Sequence, residues 1–551
     1  MPTVTLNRNV FEKLVSKKLP LEKLKERISM IGTDLESVTD TEIHVEVFPN
    51  RPDWLSEQGF ARSFSAFIGE KTGLREYMVK KSGLKVVVDK SVAMRPYTAC
   101  AIVKKLSFND ERIREIMQVQ EKLATTHGRN RKKSAYGLYP LNTINFPIQY
   151  IAKDPHEVMF QPLGFPKKIP ASDVEELHPK GKEYKHIAQG WKKYPFFIDN
   201  KNNVLSMLPY TNSNDTGKID ETTTEVFIEC TGTDWNNVSV ALNIFVTTLA
   251  DMGGEIYSMD IVYPDKTVTT PDLTPEKMKV DLPYINKRLG LTLKEKEIKE
   301  LLERMGFGYE KGNALIPAYR ADIIHSADLV EDVAIAYGYE NFEEKIPAVA
   351  TIAEEDSFEV FKTKVVELLI GLGLLETKSY SLIDESTQTA QCLLAADEKK
   401  VVSIIDPVSL EYNSLRFWLA PSILQVLQRN IGAEYPQRVF EIGRVFKHGD
   451  TETGVEETER VCIATTHGKA DFTEIKQIVE YLLSQFGLKG ETRETEHGTF
   501  IPGRVGRVRV SGVDIVYVGE IHPEVLNKFK LENPVALCEL NLTELYKILK
   551  R

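Results

Sequence analysis

Residues 320–339 read RADIIHSADLVEDVAIAYGY, an acidic segment that turns apolar partway along. The apolar spacing predicts a helix that begins near Asp328. In that helix Asp328, Glu331 and Asp332 lie three and four residues apart, so their carboxylates share one face, and Asp322 precedes them. Two interpretations stay open. The acids either favour a helix start, with Asp328 and Glu331 as a capping box, or form a site for a hard cation such as Mg²⁺.

This helix is expected to complete a compact domain over residues 275–345. Thr292 and Glu295 form a predicted capping box for the helix LKEKEIKELLERM, and Gly306 ends that helix. The strand ALIPAY then leads into residues 320–339. The pattern therefore predicts a small domain that mixes helices with short strands.

The whole chain has the size and composition of a multidomain protein. Its 551 residues are 42% hydrophobic, so it can bury several cores. The sequence contains neither a charged leader before an apolar run nor an apolar stretch of about 18 residues, so we expect a cytoplasmic protein without a membrane segment. The five cysteines include no C-x-x-C pair, which predicts reduced, buried thiols.

Changes in pattern mark three further domains. Residues 1–84 contain the strand EIHVEVFP and an amphipathic helix after NRPDW. Residues 85–268 alternate β-rich runs with polar turns and include a long helix, which predicts a mixed α/β domain. Residues 350–551 alternate helices with strands, and GRVRVSGVDIVYVGE predicts two strands joined at Ser511 and Gly512. The predicted fold class is α+β and multidomain, with a largely antiparallel last sheet.

A basic cluster stands out against the acidic background. The net charge of −10 argues against nucleic-acid binding along the whole chain, because Lys and Arg drive phosphate binding. The segment THGRNRKK nevertheless gathers Arg129, Arg131, Lys132 and Lys133 after an amphipathic helix. This cluster fits a solvated helix end or a local nucleic-acid contact.

The stretch VFIECTGTD holds a second acidic candidate site. Strand alternation puts Glu229 and Thr231 on the same face. A carboxylate that points into an apolar domain needs a partner or a ligand, whereas one at a strand edge is simply exposed. The sequence contains no phosphate-binding glycine loop and no G-x-S-x-G elbow, so residue patterns alone indicate no specific reaction.

Several segments together resemble the β subunits of phenylalanyl-tRNA synthetases of the archaeal and eukaryotic cytosolic type. The resemblance covers essentially the whole chain and rests on motifs in a fixed order: NRPDWLS with GFAR, HGRNRKK, VLSMLPYTNSND, VFIECTGTD, YINKRLG, YRADIIHSADLVEDVAIAYGY, LRFWLAPSILQVLQRN, VFEIGRVF and GEIHPEVL. It implies a heterotetramer of two α and two β subunits that uses ATP to attach phenylalanine to tRNA(Phe). The α subunit would carry the class II active site.

The domain over residues 350–551 resembles a class II synthetase fold that has lost its catalytic residues. The strand QRVFEIGRVF lacks an F-R-x-E type ATP-binding arginine. The segment IPGRVGRVRV lacks the G-x-G-x-x-x-R pattern of the third class II motif. We therefore expect that the chain alone forms no phenylalanyl adenylate.

The domain over residues 85–268 resembles the family's editing module, which hydrolyses mischarged tyrosyl-tRNA(Phe). A pocket for phenylalanine rejects an analogue that merely adds a hydroxyl by about 10², so a second site must recognise that hydroxyl. The resemblance assigns this pocket to Phe197, Ser206, Glu229 and Thr231. Glu229 is expected to accept the phenolic hydrogen, in a charge-assisted bond that phenylalanine cannot make. Ser206 and Thr231 are expected to position the ester or the attacking water.

The domain over residues 275–345 resembles the family's small domain, which has a winged, nucleic-acid-binding-like fold. Its acidic run matches the family's Mg²⁺ motif at Asp322, Asp328, Glu331 and Asp332. The resemblance implies a metal that is shared with the α subunit and joins the two subunits. Contacts with tRNA would fall to the α subunit and to the basic cluster.

Three functions compete at this point. The first is a synthetase β subunit with an active editing hydrolase. The second is a scaffold and tRNA-binding subunit without active editing, and the third is a freestanding Mg²⁺-dependent hydrolase. Deacylation of tyrosyl-tRNA by the isolated chain separates the first two, and activity of a monomer without a partner favours the third.

Overall fold

A computed structural model of the chain describes residues 2–346, 349, 351–395 and 400–550. The chain divides into two compact units, Met1–Ile346 and Pro347–Arg551. Both units combine helices with sheets, which confirms the predicted α+β fold class. The finer boundaries between four domains stay predictions, and three of their end positions, residues 1, 350 and 551, lie outside the described residues. Across the described part of the chain, no helix is both long and apolar enough to cross a membrane.

The first segment of the first unit is a small sheet with helices. Its elements are β1 (Thr3–Asn7), α1 (Arg8–Val15), α2 (Leu21–Met30), β2 (Asp34–Val38), β3 (Glu42–Glu46) and α3 (Glu57–Phe67). The strands pair antiparallel in the order β1-β3-β2. In the motif NRPDW, Arg51 Nε and Nη2 donate to the carboxylate of Asp53 at 2.9 and 2.7 Å, and the guanidinium lies 3.7 Å from the ring centre of Trp54. This motif is therefore a buried structural turn before α3.

The second segment is built on one large sheet. Its elements are β4 (Val79–Val88), β5 (Tyr97–Lys104), α4 (Asp110–Thr125), β6 (Ser134–Pro140), β7 (Ile148–Lys153), β8 (Met159–Phe160), β9 (Ile169–Pro170), α5 (Val174–Leu177), α6 (Pro179–Tyr184), β10 (Tyr194–Ile198), β11 (Val204–Met207), β12 (Thr211–Asn212), β13 (Val226–Gly232), α7 (Trp235–Asp251), β14 (Glu255–Val262) and β15 (Thr267–Thr270). The described strands follow the order β12-β11-β10-β7-β4-β14-β5-β13-β6, with β15 beside β14. The apolar helix α7 packs on β5 and β13, so one sheet face is covered. The other face encloses a second core.

The third segment of this unit contains the acidic run. Its elements are β16 (Glu276–Lys279), α8 (Leu282–Leu289), α9 (Glu295–Arg304), β17 (Gly308–Glu310), β18 (Asn313–Ile316) and α10 (Ser326–Tyr337). The described strands pair antiparallel in the order β16-β18-β17 beside the three helices. Helix α10 begins two residues before the predicted start at Asp328.

The predicted capping box at Thr292 and Glu295 is wrong. Helix α9 begins at Glu295, and the backbone N–H of its N-cap residue Lys294 donates to Glu297 Oε2 at 2.8 Å. The side chain of Asn286 bonds both the N–H and the C=O of Leu293, at 2.8 and 2.9 Å. These bonds tie Leu293 to α8, so α9 starts only after that residue.

The second unit is built on a broad sheet with helices. Its elements are α11 (Ser357–Gly371), β19 (Leu375–Glu376), β20 (Leu382–Ile383), α12 (Glu385–Gln388), β21 (Val402–Ser403), β22 (Ser414–Leu415), α13 (Ala420–Arg429), β23 (Gln437–His448), β24 (Val455–Thr466), α14 (Phe472–Gln485), β25 (Glu491–Glu494), β26 (Phe500–Val510), β27 (Val513–Ile521), α15 (Pro523–Lys528), β28 (Val535–Asn541) and α16 (Leu542–Leu549). The described strands follow the order β19-β23-β24-β28-β27-β26-β25 and are antiparallel except for β19 with β23. The predicted turn at Ser511 and Gly512 is confirmed, with φ of 48° and 85°.

Candidate functional site

Strand β13 carries the predicted carboxylate into the interior of the second segment. Glu229 and Thr231 are both 0% exposed, and alternation puts them on the face away from α7. In the two neighbouring strands the residues opposite Glu229 are Cys100 of β5 and Gly137 of β6. Glu229 is therefore a buried carboxyl in a largely apolar core, and its strand is not a sheet edge.

The two ends of the sheet order meet at this carboxyl. Strand β6 lies at one end of the order and β12 at the other. The hydroxyl of Tyr139 in β6 lies 3.0 Å from Glu229 Oε1 and 3.1 Å from Asn212 Oδ1 of β12, close enough to donate to either. The sheet therefore curves until its two ends share one hydrogen-bonding group.

The other predicted pocket residues lie on the β12 side of this junction. Ser206 of β11 is paired across strands with Phe197 of β10 and also with Asn212. The Phe197 ring lies 6.5 Å from the ring of Phe227, which precedes Glu229 by two residues on the same face of β13. Phe197 thus lies in the same buried cluster as Tyr139, whose hydroxyl contacts Glu229, and Thr231 follows Glu229 along the same strand face.

Two buried polar atoms in this group have no hydrogen-bond partner with suitable geometry. They are Glu229 Oε2 and Ser206 Oγ. Leaving a buried polar atom unsatisfied costs ~1–3 kcal/mol, so such atoms point to a ligand or to stored strain. Burial raises the pKa of Glu229 to about 8, although the Tyr139 hydroxyl, the charge of Arg95 and the nearby Ser206 hydroxyl lower it. At neutral pH the carboxyl is therefore mostly protonated. The charge-assisted bond expected from the sequence requires the ionised carboxylate and forms only at more alkaline pH.

A buried arginine joins this group of residues to the basic cluster. Arg95 is 0% exposed, and its guanidinium donates to the backbone oxygens of Thr231 and Arg131 at 2.8 and 3.0 Å. Burial lowers the pKa of Arg95. The loop that holds the basic cluster is therefore fixed against the strand that carries Glu229.

The basic cluster divides into anchored and open side chains. Arg131 Nη1 donates to the backbone oxygens of Pro209 and Tyr210 at 3.2 and 2.7 Å, so its guanidinium is structural. Lys133 lies 3.9 Å from a carboxylate oxygen of Asp234. Arg129 and Lys132 are exposed. The predicted tRNA contact thus has two exposed cations and two side chains engaged within the chain.

The predicted metal ligands surround a cavity of about 260 Å³, but an arginine holds two of them. Arg320 Nε and Nη2 donate to the Asp322 carboxylate at 2.7 Å each, and Nη2 also donates to Asp332 Oδ2 at 2.8 Å. Asp328 Oδ2 accepts the backbone N–H of His325 at 2.7 Å, which makes His325 and Asp328 the capping box. The predicted capping pair of Asp328 with Glu331 is wrong, because α10 begins before Asp328.

Glu331 is the acid of this cluster that stays open. It is exposed, and its pKa is raised by partial burial and by the charges of Asp332, Asp328 and Asp322. Crowded carboxylates of this kind suit Mg²⁺ in chemistry. Among the described residues, however, no group of three or more acidic, His or Cys side chains is arranged to hold a metal ion. The carboxylates match the ligand chemistry of Mg²⁺, but Arg320 already binds two of the four.

Family models match two parts of the chain. Residues 343–542 match the phenylalanyl tRNA synthetase beta chain CLM domain, and residues 278–339 match the tRNA synthetase B5 domain. The Pyrococcus abyssi protein named phenylalanine–tRNA ligase beta subunit is 38% identical over 558 residues, covering 99% of this chain and 100% of that protein. The chain belongs to the phenylalanine–tRNA ligase β-subunit family. A family member from Archaeoglobus fulgidus is 39% identical over 552 residues and covers 99% of both chains.

A solved structure of this β-subunit family supports the same assignment for the first unit. The crystal structure of an N-terminal fragment of the phenylalanyl-tRNA synthetase beta-subunit from Pyrococcus horikoshii is 38% identical to this chain. It covers 61% of this chain and 99% of the fragment, with a TM-score of 0.59. The chain is thus similar to β subunits of this ligase in sequence along its length and in fold over its first part.

Four residues that matter at these sites are not singled out by the sequence patterns. Tyr139 and Gly137 lie in a short strand without a recognisable motif, and Arg95 precedes another strand. Arg320 is the first residue of the acidic run and lies two residues before Asp322. This spacing could have predicted the ion pair, because Arg and Asp at that distance along the chain can pair.

Proposed function

We propose that this chain assembles with a catalytic α subunit into an α2β2 ligase that charges tRNA(Phe) with phenylalanine. Within that enzyme it hydrolyses tyrosyl-tRNA(Phe). Membership of the ligase β-subunit family supports the ligase complex. In this proposal the α subunit supplies the class II active site and uses ATP.

The editing half of the proposal rests on one observation. Glu229 Oε2 and Ser206 Oγ are buried polar atoms that lack a well-aligned hydrogen bond in the same apolar core, although the Ser206 hydroxyl lies near enough to Glu229 to lower its pKa. A tyrosyl ring brings a hydroxyl that can satisfy such atoms, whereas a phenylalanyl ring leaves them unsatisfied. That difference favours hydrolysis of the wrong product, because a site built to bond a hydroxyl rejects the analogue that lacks it.

Hydrolysis of tyrosyl-tRNA(Phe) by the assembled enzyme tests this function. The wild-type complex should release tyrosine from the charged tRNA far faster than it releases phenylalanine. The isolated chain should retain part of this activity if it contains the whole editing site. Equal release of the two amino acids would favour the alternative, a scaffold and tRNA-binding subunit without active editing.

Magnesium at the acidic cluster is a second part of the proposal. Glu331 and the free oxygen of Asp328 are the ligands available without breaking the pairs of Arg320. Mg²⁺ bound there with ligands from the α subunit would neutralise the crowded carboxylates and hold the subunits together. The protein's own contribution is to fix the remaining acids, through Arg320 and the cap of α10.

We therefore expect Glu331→Gln to weaken assembly with the α subunit by about tenfold, or ~1.4 kcal/mol. Glu331 is exposed, so the isolated variant should keep its fold. The measurement is the dissociation constant of the α and β subunits in magnesium and after chelation. Glu300→Gln on α9 removes an equal charge from another exposed position and serves as the control. Unchanged assembly of Glu331→Gln, or assembly indifferent to chelation, would contradict the metal proposal.

A further inference from the structure

The two oxygens of the Glu229 carboxyl have different surroundings. Oε1 accepts the hydroxyl of Tyr139 at 3.0 Å, while Oε2 is buried without a partner. Without the bond from Tyr139, the Glu229 carboxyl could rotate and exchange its two oxygens. The bond to Tyr139 therefore decides which oxygen stays free.

Tyr139 is itself held from two sides. Its hydroxyl lies 3.1 Å from Asn212 Oδ1, and its ring packs 5.7 Å from that of Phe227. The side chain is 0% exposed. These contacts hold the phenol oxygen at the junction between β6 and β12, where its single proton is donated to Glu229 Oε1 or to Asn212 Oδ1.

The close approach of these two groups depends on a glycine. Gly137 lies directly opposite Glu229 in β6. A Cβ atom at position 137 would lie 2.3 Å from Tyr139 Oη and 2.6 Å from Glu229 Oε1, which is shorter than real Cβ contacts. Any larger residue at this position would separate the phenol from the carboxyl.

We propose that Tyr139 is a positioning residue of the editing site, which fixes the Glu229 carboxyl so that Oε2 and Ser206 Oγ face the substrate's hydroxyl. Gly137 provides the space for this contact. The inference rests on the proposed editing function and names the determinant of its specificity. Tyr139 acts through Glu229 and does not itself touch the reacting ester.

The test compares Tyr139→Phe with Tyr150→Phe in the assembled enzyme. Tyr150 is an equally buried tyrosine of the same core, and its hydroxyl donates to the backbone oxygen of Arg95 at 2.8 Å. Both variants lose one buried hydroxyl, so they share the structural cost. Tyr139→Phe should raise the KM for tyrosyl-tRNA hydrolysis about three- to tenfold, as expected for the loss of one neutral hydrogen bond, with a smaller change in kcat. Tyr150→Phe should leave KM near the wild-type value.

A second readout follows the titration of Glu229 in the full chain without tRNA. The bond from Tyr139 lowers the pKa of Glu229, so Tyr139→Phe should move its titration to a pH above the wild-type value of about 8. NMR of carboxyl-labelled glutamate, with Glu229→Gln to assign the signal, measures this shift. Tyr150→Phe should shift it less.

The two readouts keep the outcomes separate. An unchanged KM and an unchanged titration in Tyr139→Phe would overturn the positioning role and leave Tyr139 as a packing residue. If the wild-type enzyme hydrolyses no tyrosyl-tRNA, the editing function fails. In that case a shifted titration would still support the Tyr139 contact, and an unshifted one would overturn it as well.

Discussion

Incubated alone with phenylalanine, ATP and pyrophosphate, the chain should show no phenylalanine-dependent exchange of pyrophosphate into ATP. Addition of the α subunit should produce exchange that increases in proportion to the complex formed. We expect at least a 10³-fold difference, since removing even one group that stabilises a developing charge costs ~10²–10³ in rate. The assay follows labelled pyrophosphate into ATP.

The reason lies in the large sheet of the second unit. Residues at alternate positions of β23, β24 and β28 share the face opposite the core formed with α11, α14 and α16. On that face Arg416 Nη1 lies 2.6 Å from Glu441 Oε1, and Arg460 Nη1 lies 2.9 Å from Glu539 Oε1. These cations are paired within the chain, so they are not available to bind triphosphate.

The control for this prediction is the α subunit measured without its partner. It separates activity of the complex from a synthetase carried over in purification, which would exchange regardless of the added chain. Robust exchange by the isolated chain that persists through repeated purification would contradict this prediction.

The second large effect concerns Glu229. Glu229→Ala should slow hydrolysis of tyrosyl-tRNA by up to about tenfold at pH 6.5, where the carboxyl is protonated and offers a neutral hydrogen bond. Above its pKa of about 8 the ionised carboxylate offers a stronger bond, and the loss should grow toward about a hundredfold. Phenylalanine charging should be nearly unchanged in the same preparation. The measurement is the enzymatic rate at both pH values after subtraction of spontaneous hydrolysis.

A matched control exists in the same segment. Glu175 accepts the hydroxyls of Tyr194 and Tyr210 at 2.7 and 2.5 Å, so it is another carboxylate bonded by tyrosines, in a separate core. Glu175→Gln should leave tyrosyl-tRNA hydrolysis intact. Equal losses of hydrolysis and charging in Glu229→Ala would indicate a folding defect, and normal hydrolysis would remove Glu229 from the mechanism.

The raised pKa of Glu229 predicts that Glu229→Gln stabilises the protein by an amount that depends on pH. The pKa of Glu229 rises from 4.5 to about 8 on folding, so the folded state binds the proton more tightly. The contribution of Glu229 to the free energy of unfolding therefore falls as pH rises from about 4.5 to about 8, and is constant above that range. Glu229→Gln removes this loss, so its Tm should exceed that of the wild type by an amount that grows across this range. An increment that does not change with pH would contradict the assigned titration.

Features fixed by neighbouring residues are predictable from this sequence. Asp471 caps α14 by accepting the N–H of Glu474 at 2.9 Å, a bond between two residues only three positions apart. The turn at Ser511 and Gly512 likewise follows from local chemistry. The start of α9 fails as a prediction because Asn286, outside the local motif, fixes Leu293. Neighbouring residues therefore predict helix ends and turns, except where a side chain from another element binds the backbone.

The candidate site shows the same limit over longer distances. Strand alternation correctly puts Glu229 and Thr231 on one face. The contact between Tyr139 and Glu229 joins residues 90 positions apart, and the partner Asn212 lies at the opposite end of the sheet order. No periodic pattern in one strand encodes that meeting, because it depends on the curvature of the whole sheet. The assignment of Phe197 and Ser206 therefore depended on family resemblance.

The meeting of β6 with β12 has an expected consequence for folding. Contacts between distant segments form late, since the intervening chain must first be ordered. A proofreading site at such a junction exists only in molecules whose sheet has closed completely. The proposed proofreading activity is consequently expected to report native structure stringently, and partly folded or clipped subunits should lose it before they lose their helices.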